Sequence, residues 1–190
     1  MKRTFRCVQG CSDCCIYREY YPSVQYGKIG VLVLPEEKAA IERLAKEMGL
    51  RVRIIPRLAV GKDSPEKIIA YQMMGKNEDG NLCPFLDTEG KKKSPHGGFK
   101  CKIYSDRPLA CRAYPVMDVT YKTAIFDSHC QFCKKFSVTE ASNRGLQQEI
   151  EALAKIKAIV TAEKDVSVWR YATATGGSNE LLSEGWVLER

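Results

Sequence analysis

The chain has 190 residues, 44% apolar and 28% charged, with a formal charge of +7 from 30 basic and 23 acidic side chains. That length and balance fit one globular domain with at most a small subdomain, and exclude a disordered or fibrous chain. No run approaches the ~20 apolar residues that span a membrane, and the basic start through Arg6 lacks the apolar stretch of a secretory signal, so a cytoplasmic protein without a membrane partner is expected.

Four of the nine cysteines come first: Cys7, Cys11, Cys14 and Cys15. An aromatic and polar loop follows at 17–22, then an apolar run of strand length at 29–34. Pro35 opens a helix, with Glu36 and Glu37 in the first turn where the dipole favours acids. Ile41, Leu44, Ala45 and Met48 recur at helical spacing as a core face, and Gly49 suits the end. Residues 51–56 alternate like an edge strand, 68–74 read as another strand, and 75–81 as a turn.

Cys83 heads a short apolar stretch at 83–87 whose hairpin partner is 99–104, which carries Cys101. The Lys-, Gly- and Pro-rich loop between them, 88–98, is expected to be flexible. Arg107 and Pro108 begin a helical turn bearing Cys111 and Arg112, which stops at Tyr114 and Pro115. Residues 116–126 are strand-like, and Cys130 and Cys133 follow. A helix is expected over 139–162, with Leu146, Ile150, Leu153, Ile156 and Val160 on one stripe. The tail from Val166 is ambiguous, and 183–190 is expected to fray. The fold class is α+β: small antiparallel strands and hairpins around a cysteine-rich site, with two packed helices. Residues 1–135 form the cysteine-cluster domain, and 136–190 a helix and tail packed on it.

Dense thiols serve disulfides, metal or cluster ligation, or redox exchange. A reducing compartment, the odd count and the adjacent Cys14–Cys15 pair weigh against disulfides. A Cys-x-x-Cys turn points both sulfurs at one ion, and its backbone amides can donate to the thiolates. Cys11–Cys14 and Cys130–Cys133 share that spacing, which makes ligation the leading reading. Cys14 and Cys15 diverge and need not serve the same centre. Nine thiols supply either two four-thiolate sites or one 4Fe–4S cluster beside structural thiols. Zinc and iron both accept such sets. His129, beside Cys130, is an alternative ligand, whereas His96 is expected to be exposed.

Ligation also bears on charge. A divalent ion held by four thiolates adds −2, leaving about +5 with one site and about +3 with two. Nucleic acid is therefore not expected as a partner, and Lys91–Lys93 and Lys134–Lys135 read as solvated surface. Redox exchange favours a pair at the opening of a helix. Cys11-Ser12-Asp13-Cys14, with an acid inside and no clear strand before it, fits that poorly.

Phe5 with Cys7, Cys11, Cys14 and Cys15, then Cys83-Pro84-Phe85-Leu86, then Cys101-x-Ile103-Tyr104-x-x-Arg107-Pro108-x-x-Cys111-Arg112-x-Tyr114-Pro115 make a recognisable pattern. It resembles the CxxCxxCC family, described as zinc- or iron-chelating or as iron–sulfur proteins. The likeness runs over residues 5–115. It implies ligands drawn from Cys7, Cys11, Cys14, Cys15, Cys83, Cys101 and Cys111. Arg107 and Arg112 would offset thiolate charge or bind an acidic group, and Tyr104 and Tyr114 would pack around the site. The first spacing here is Cys-x-x-x-Cys where the family has Cys-x-x-Cys, and the 88–98 loop is longer than usual. Cys130 and Cys133 lie beyond the matched region and receive no role from it.

Two functions follow. One is an iron–sulfur protein, 4Fe–4S in preference, serving electron transfer with a redox partner or forming the cluster-bearing part of an enzyme. Flagellin lysine methylases share the cysteine signature, which raises a methyltransferase-related role, although no strand–Gly-x-Gly–helix site is evident. The other is a structural zinc module that mediates interaction with a protein partner, its metal supplying folding energy. Cys7, Cys11 and Cys14 also have the spacing of radical enzymes, a coincidence in a chain with no room for their large barrel.

Overall fold

The computed structural model describes residues 3–17, 27, 30–76, 82–161, 166–173 and 184–189. By chain contacts these fall into two units, one of residues Met1–Ile16 and Phe85–Lys157, the other of Tyr17–Pro84 and Ala158–Arg190. The chain begins in the first unit with α1 (Asp13–Ile16) and enters the second with β1 (Val31–Val33), α2 (Pro35–Glu47), β2 (Ile54–Val60) and β3 (Lys67–Met73). It returns for β4 (Leu86–Asp87), β5 (Lys100–Cys101), α3 (Leu109–Ala113), β6 (Val116–Val119), β7 (Thr123–Phe126), α4 (Gln131–Phe136), β8 (Glu140–Ser142) and α5 (Gln147–Val160). Strands β9 (Val168–Ala172) and β10 (Gly185–Leu188) close the second unit. The fold class is α+β, with every sheet antiparallel. The boundary expected after residue 135 falls inside the first unit, within α4.

The second unit is a five-stranded sheet in the order β1-β3-β2-β9-β10. Leu58, Val60, Ile69 and Ala70 form its buried centre. The strand expected at an edge over 51–56 begins later and lies between β3 and β9. Pro56 is tolerated there because β9 pairs only with Leu58–Val60, leaving the missing N–H without a ladder to break. A register shift between Pro56 and Leu58 absorbs the irregularity. The ambiguous tail supplies β9, and β10 lies where fraying was expected. Their strand character is set by pairing with β2 and with each other, which local pattern does not encode. Helix α2 starts at Pro35 as expected, and the Glu37 carboxylate takes the Leu34 N–H at 2.9 Å. Ile41 and Ala45 are buried, whereas Met48 is 40% exposed.

The first unit holds the β4–β5 hairpin and the sheet β6-β7-β8. The strand-like run 116–126 is a hairpin in itself, and the start of the helix expected from residue 139 is the strand β8. Gly145, at φ +78°, lies in the turn between β8 and α5. Val116, Ala124, Phe126, Phe132, Cys133, Ala141 and Leu146 form the core, with Ile150 and Leu153 of α5 packed on it. No helix among the described residues is long and apolar enough to cross a membrane. Among the described residues, three short helices stand beside the two long ones, and each carries thiols: Cys14 and Cys15 in α1, Cys111 in α3, Cys133 in α4.

Candidate metal centre

The N-terminal segment reaches the first unit's core through aromatic packing. Ser142 N–H donates to the Arg3 carbonyl at 2.9 Å, and Thr4 bridges Ser142 in parallel. The Phe5 ring then lies 5.1 Å from both Phe126 and Phe132. Offset and edge contacts of this kind add about 0.5–1.5 kcal/mol per pair beyond area burial. They fix the chain two residues ahead of Cys7, which lines one cavity with Phe132, Lys135 and Phe136 of α4.

Cys11 is held by the loop expected to be flexible. Gly10 N–H donates to the His96 carbonyl at 2.7 Å, and Phe99 N–H to the buried Ser12 hydroxyl at 2.7 Å. The ring of His96, half-buried and not exposed, meets the Cys11 carbonyl at 2.9 Å through Nε2. Gly98 packs so closely that a Cβ there would stand 2.1 Å from the Cys11 carbonyl oxygen and 2.5 Å from the Ser12 hydroxyl. The Gly98→Ala variant is therefore expected to push the Cys11–Ser12 backbone away and destabilise the first unit by about 1–3 kcal/mol. Thermal unfolding measures this, and an unchanged midpoint would contradict the clamp.

Cys130 is the N-cap of α4, and Cys133 is buried one turn later. The backbone N–H groups of Phe132 and Cys133 in the first turn of α4 favour the Cys130 thiolate, and the Cys130 and Cys133 thiols act on each other. Asp127 Oδ1 takes both the His129 N–H, at 2.9 Å, and the His129 ring at Nδ1, 3.0 Å away. His129 is thus engaged by Asp127 on the loop leading into α4. The Gln131 amide donates to the Asp13 carboxylate and so ties the start of α4 to α1.

Cys101 lies on β5 opposite Leu86, and the backbone amide of Ile103 favours its thiolate. Cys111 sits in α3, whose first turn begins at Pro108 as expected. Arg107 lies 3.9 Å over the Tyr104 ring and donates through Nε to the Tyr104 carbonyl. Arg112 donates to the carbonyls of Arg107 and Ser105, at 2.8 and 2.9 Å. Both guanidiniums therefore brace the turn that presents Cys111, and both line a cavity of about 450 Å³ with Glu149 and Glu151.

The nine cysteines are all free thiols. Eight belong to the first unit; Cys83 is buried and belongs to the second. Charge coupling sorts seven of the eight into two sets. Cys7 feels Cys130 and Cys11, Cys130 feels Cys11, and Cys133 feels Cys130. Cys101 feels Cys15 and Cys111, and Cys11, which itself feels Cys15, joins the two sets. Desolvation is the first cause throughout and neighbouring thiolates add to it. Cys7, Cys101 and Cys133 are pushed up to about 11 from 9.0, and Cys11 and Cys130 are also raised. Arg107 opposes this at Cys7 and Cys101, more weakly than desolvation raises it.

That direction decides against thiol exchange. Cys130–Cys133 has the helix-opening position such chemistry uses, but exchange thiols have lowered pKa values. The donor set suits a thiophilic metal instead. Among the described residues no three His, Cys, Asp or Glu side chains already stand around a single ion position. The fit therefore lies in the donors and their amide partners, without a finished coordination sphere. In three separate turns a backbone amide two residues on favours the thiolate: that of Asp13 at Cys11, of Ile103 at Cys101 and of Phe132 at Cys130.

Of the residues expected from the resemblance, Cys7 and Cys11 are brought together in one set, and Cys15, Cys101 and Cys111 in the other. Cys130 and Cys133 were outside that expectation, yet they join Cys7 and Cys11. Their Cys-x-x-Cys spacing was the available signal. Among known proteins, the model of the CxxCxxCC family, described as "Putative zinc- or iron-chelating domain", matches residues 6–134, which includes both of these cysteines. No curated protein and no solved structure matches the chain.

Proposed function

The chain belongs to the CxxCxxCC family, and from that premise we propose that its first unit carries an iron–sulfur cluster on cysteine thiolates and serves electron transfer or a cluster-dependent reaction. The carrying observation is the grouping of free thiols in the first unit, where Cys7, Cys11, Cys130 and Cys133 feel one another's charge and backbone amides beside Cys11, Cys101 and Cys130 favour their thiolates. An amide aimed at sulfur stabilises the thiolate and tunes the potential of a centre it ligates. Cys7, Cys11, Cys130 and Cys133 are the first ligand set, and Cys15, Cys101 and Cys111 supply a second.

Cysteine thiolates serve an iron–sulfur cluster and a tetrahedral zinc ion alike. Structural zinc is the second reading, favoured by the Cys130–Cys133 contact at the start of α4. Anaerobic purification followed by metal analysis separates the two. A brown protein absorbing at about 400 nm and bleached by air is expected. A colourless protein holding zinc would overturn the cluster.

A further inference from the structure

Beside the first thiol set lies a cavity of about 320 Å³ that the ligand reading does not use. One wall is a single face of α4, where Phe132, Lys135 and Phe136 fall at helical spacing. The other is the N-terminal segment, which contributes Arg3, Arg6 and Cys7. The Arg3 guanidinium lies 4.5 Å over the Phe136 ring, and the Lys135 ammonium 5.7 Å from the same ring's centre. Phe136 thus holds two cations at the rim. No Asp or Glu lines the cavity, and among the described residues no carboxylate pairs with Arg3, Arg6 or Lys135. Three like charges in one concavity repel each other and focus a positive potential there. An anion relieves that repulsion, and guanidinium forks match the paired oxygens of carboxylate and phosphate alike.

We propose that this cavity docks a small chelating polyanion, presenting carboxylate or phosphate oxygens to Arg3, Arg6 and Lys135, and brings the metal ion it carries up to Cys7. The volume suits a small ligand. Cys7 in the wall places one thiol of the first set at the site where such a chelate is delivered. The delivery step rests on the metal-binding reading; the docking does not. Transfer exchanges the chelate's oxygen donors for thiolates, the thiol protons passing to solvent and the free anion leaving, with no change in oxidation state.

Two measurements on the full chain test this. Calorimetry on metal-free, reduced protein titrates citrate and pyrophosphate, the tighter of the two naming the source. Saturable binding is expected. It should weaken about tenfold in each of Arg3→Gln and Lys135→Gln, the scale of one lost charge-assisted hydrogen bond. Stopped-flow transfer then compares metal citrate, metal pyrophosphate and the aquo ion. The same variants should slow transfer from the bound chelate about tenfold and leave the aquo ion unaffected. Absence of saturable binding by both anions, or binding indifferent to both substitutions, overturns the docking site. Equal slowing from chelate and aquo ion overturns the delivery role. Saturable anion binding by a protein that takes up no metal from either chelate or from the aquo ion would leave the docking site standing and remove the metal-binding reading instead.

Discussion

The Cys130→Ser variant is expected to lose about half or more of the metal bound by anaerobically prepared protein. Cys130 is the hub of the first thiol set: its charge acts on Cys7 and Cys133, it feels that of Cys11, and two backbone amides of α4 favour its thiolate. A serine hydroxyl stays protonated at neutral pH and is a poor ligand for zinc or iron. The substitution spares the fold, because Ser is a favoured helix N-cap and can accept the same amides. Loss of metal would therefore report ligation and not a broken α4, and circular dichroism checks that α4 survives. The Cys111→Ser variant removes a member of the other set. If the sets are separate centres, each variant loses about half and the double variant nearly all; if both feed one cluster, either alone empties it. Full metal content in Cys130→Ser would return the ligand set to the cysteines up to Cys111.

Much of the first unit was legible because its cysteines sit in turns that declare themselves locally. Pro108 before Cys111 and the Cys-x-x-Cys of Cys130 and Cys133 place thiols at helix starts through geometry that spacing alone encodes. What stayed hidden was which turns meet. The approach of Cys7 to Cys130 depends on Phe5 entering a cluster with Phe126 and Phe132, contacts spanning more than a hundred residues. The clamp on Cys11 escaped notice for the opposite reason. A stretch rich in Lys, Gly and Pro reads as loose, yet Gly98 is needed there because a backbone passes where a Cβ would be. In the second unit, β9 and β10 carry weak local patterns and owe their strand form to pairing across the sheet.

Metal uptake is expected to depend on pH more steeply than any single titration allows. Ligation requires thiolates, and the thiols of the first set are protonated at neutral pH, Cys7 and Cys133 with values near 11. Each ligand then surrenders a proton, and below those values the apparent affinity gains about tenfold per proton per pH unit. Four ligands give about four orders of magnitude per unit, read as a steep rise in competition against a chelator of known affinity. Stability of the metal-free, reduced protein should move the other way. Its thiols ionise at 9.0 when unfolded and at about 11 when folded at Cys7, Cys101 and Cys133, so folding favours the neutral form. That contribution is whole below about pH 9 and is lost as pH rises through about 11. The thermal midpoint should fall across this window in the metal-free protein and hold in the loaded one, whose thiolates are already ionised. Uptake that is flat with pH would mean that the metal finds donors other than these thiols.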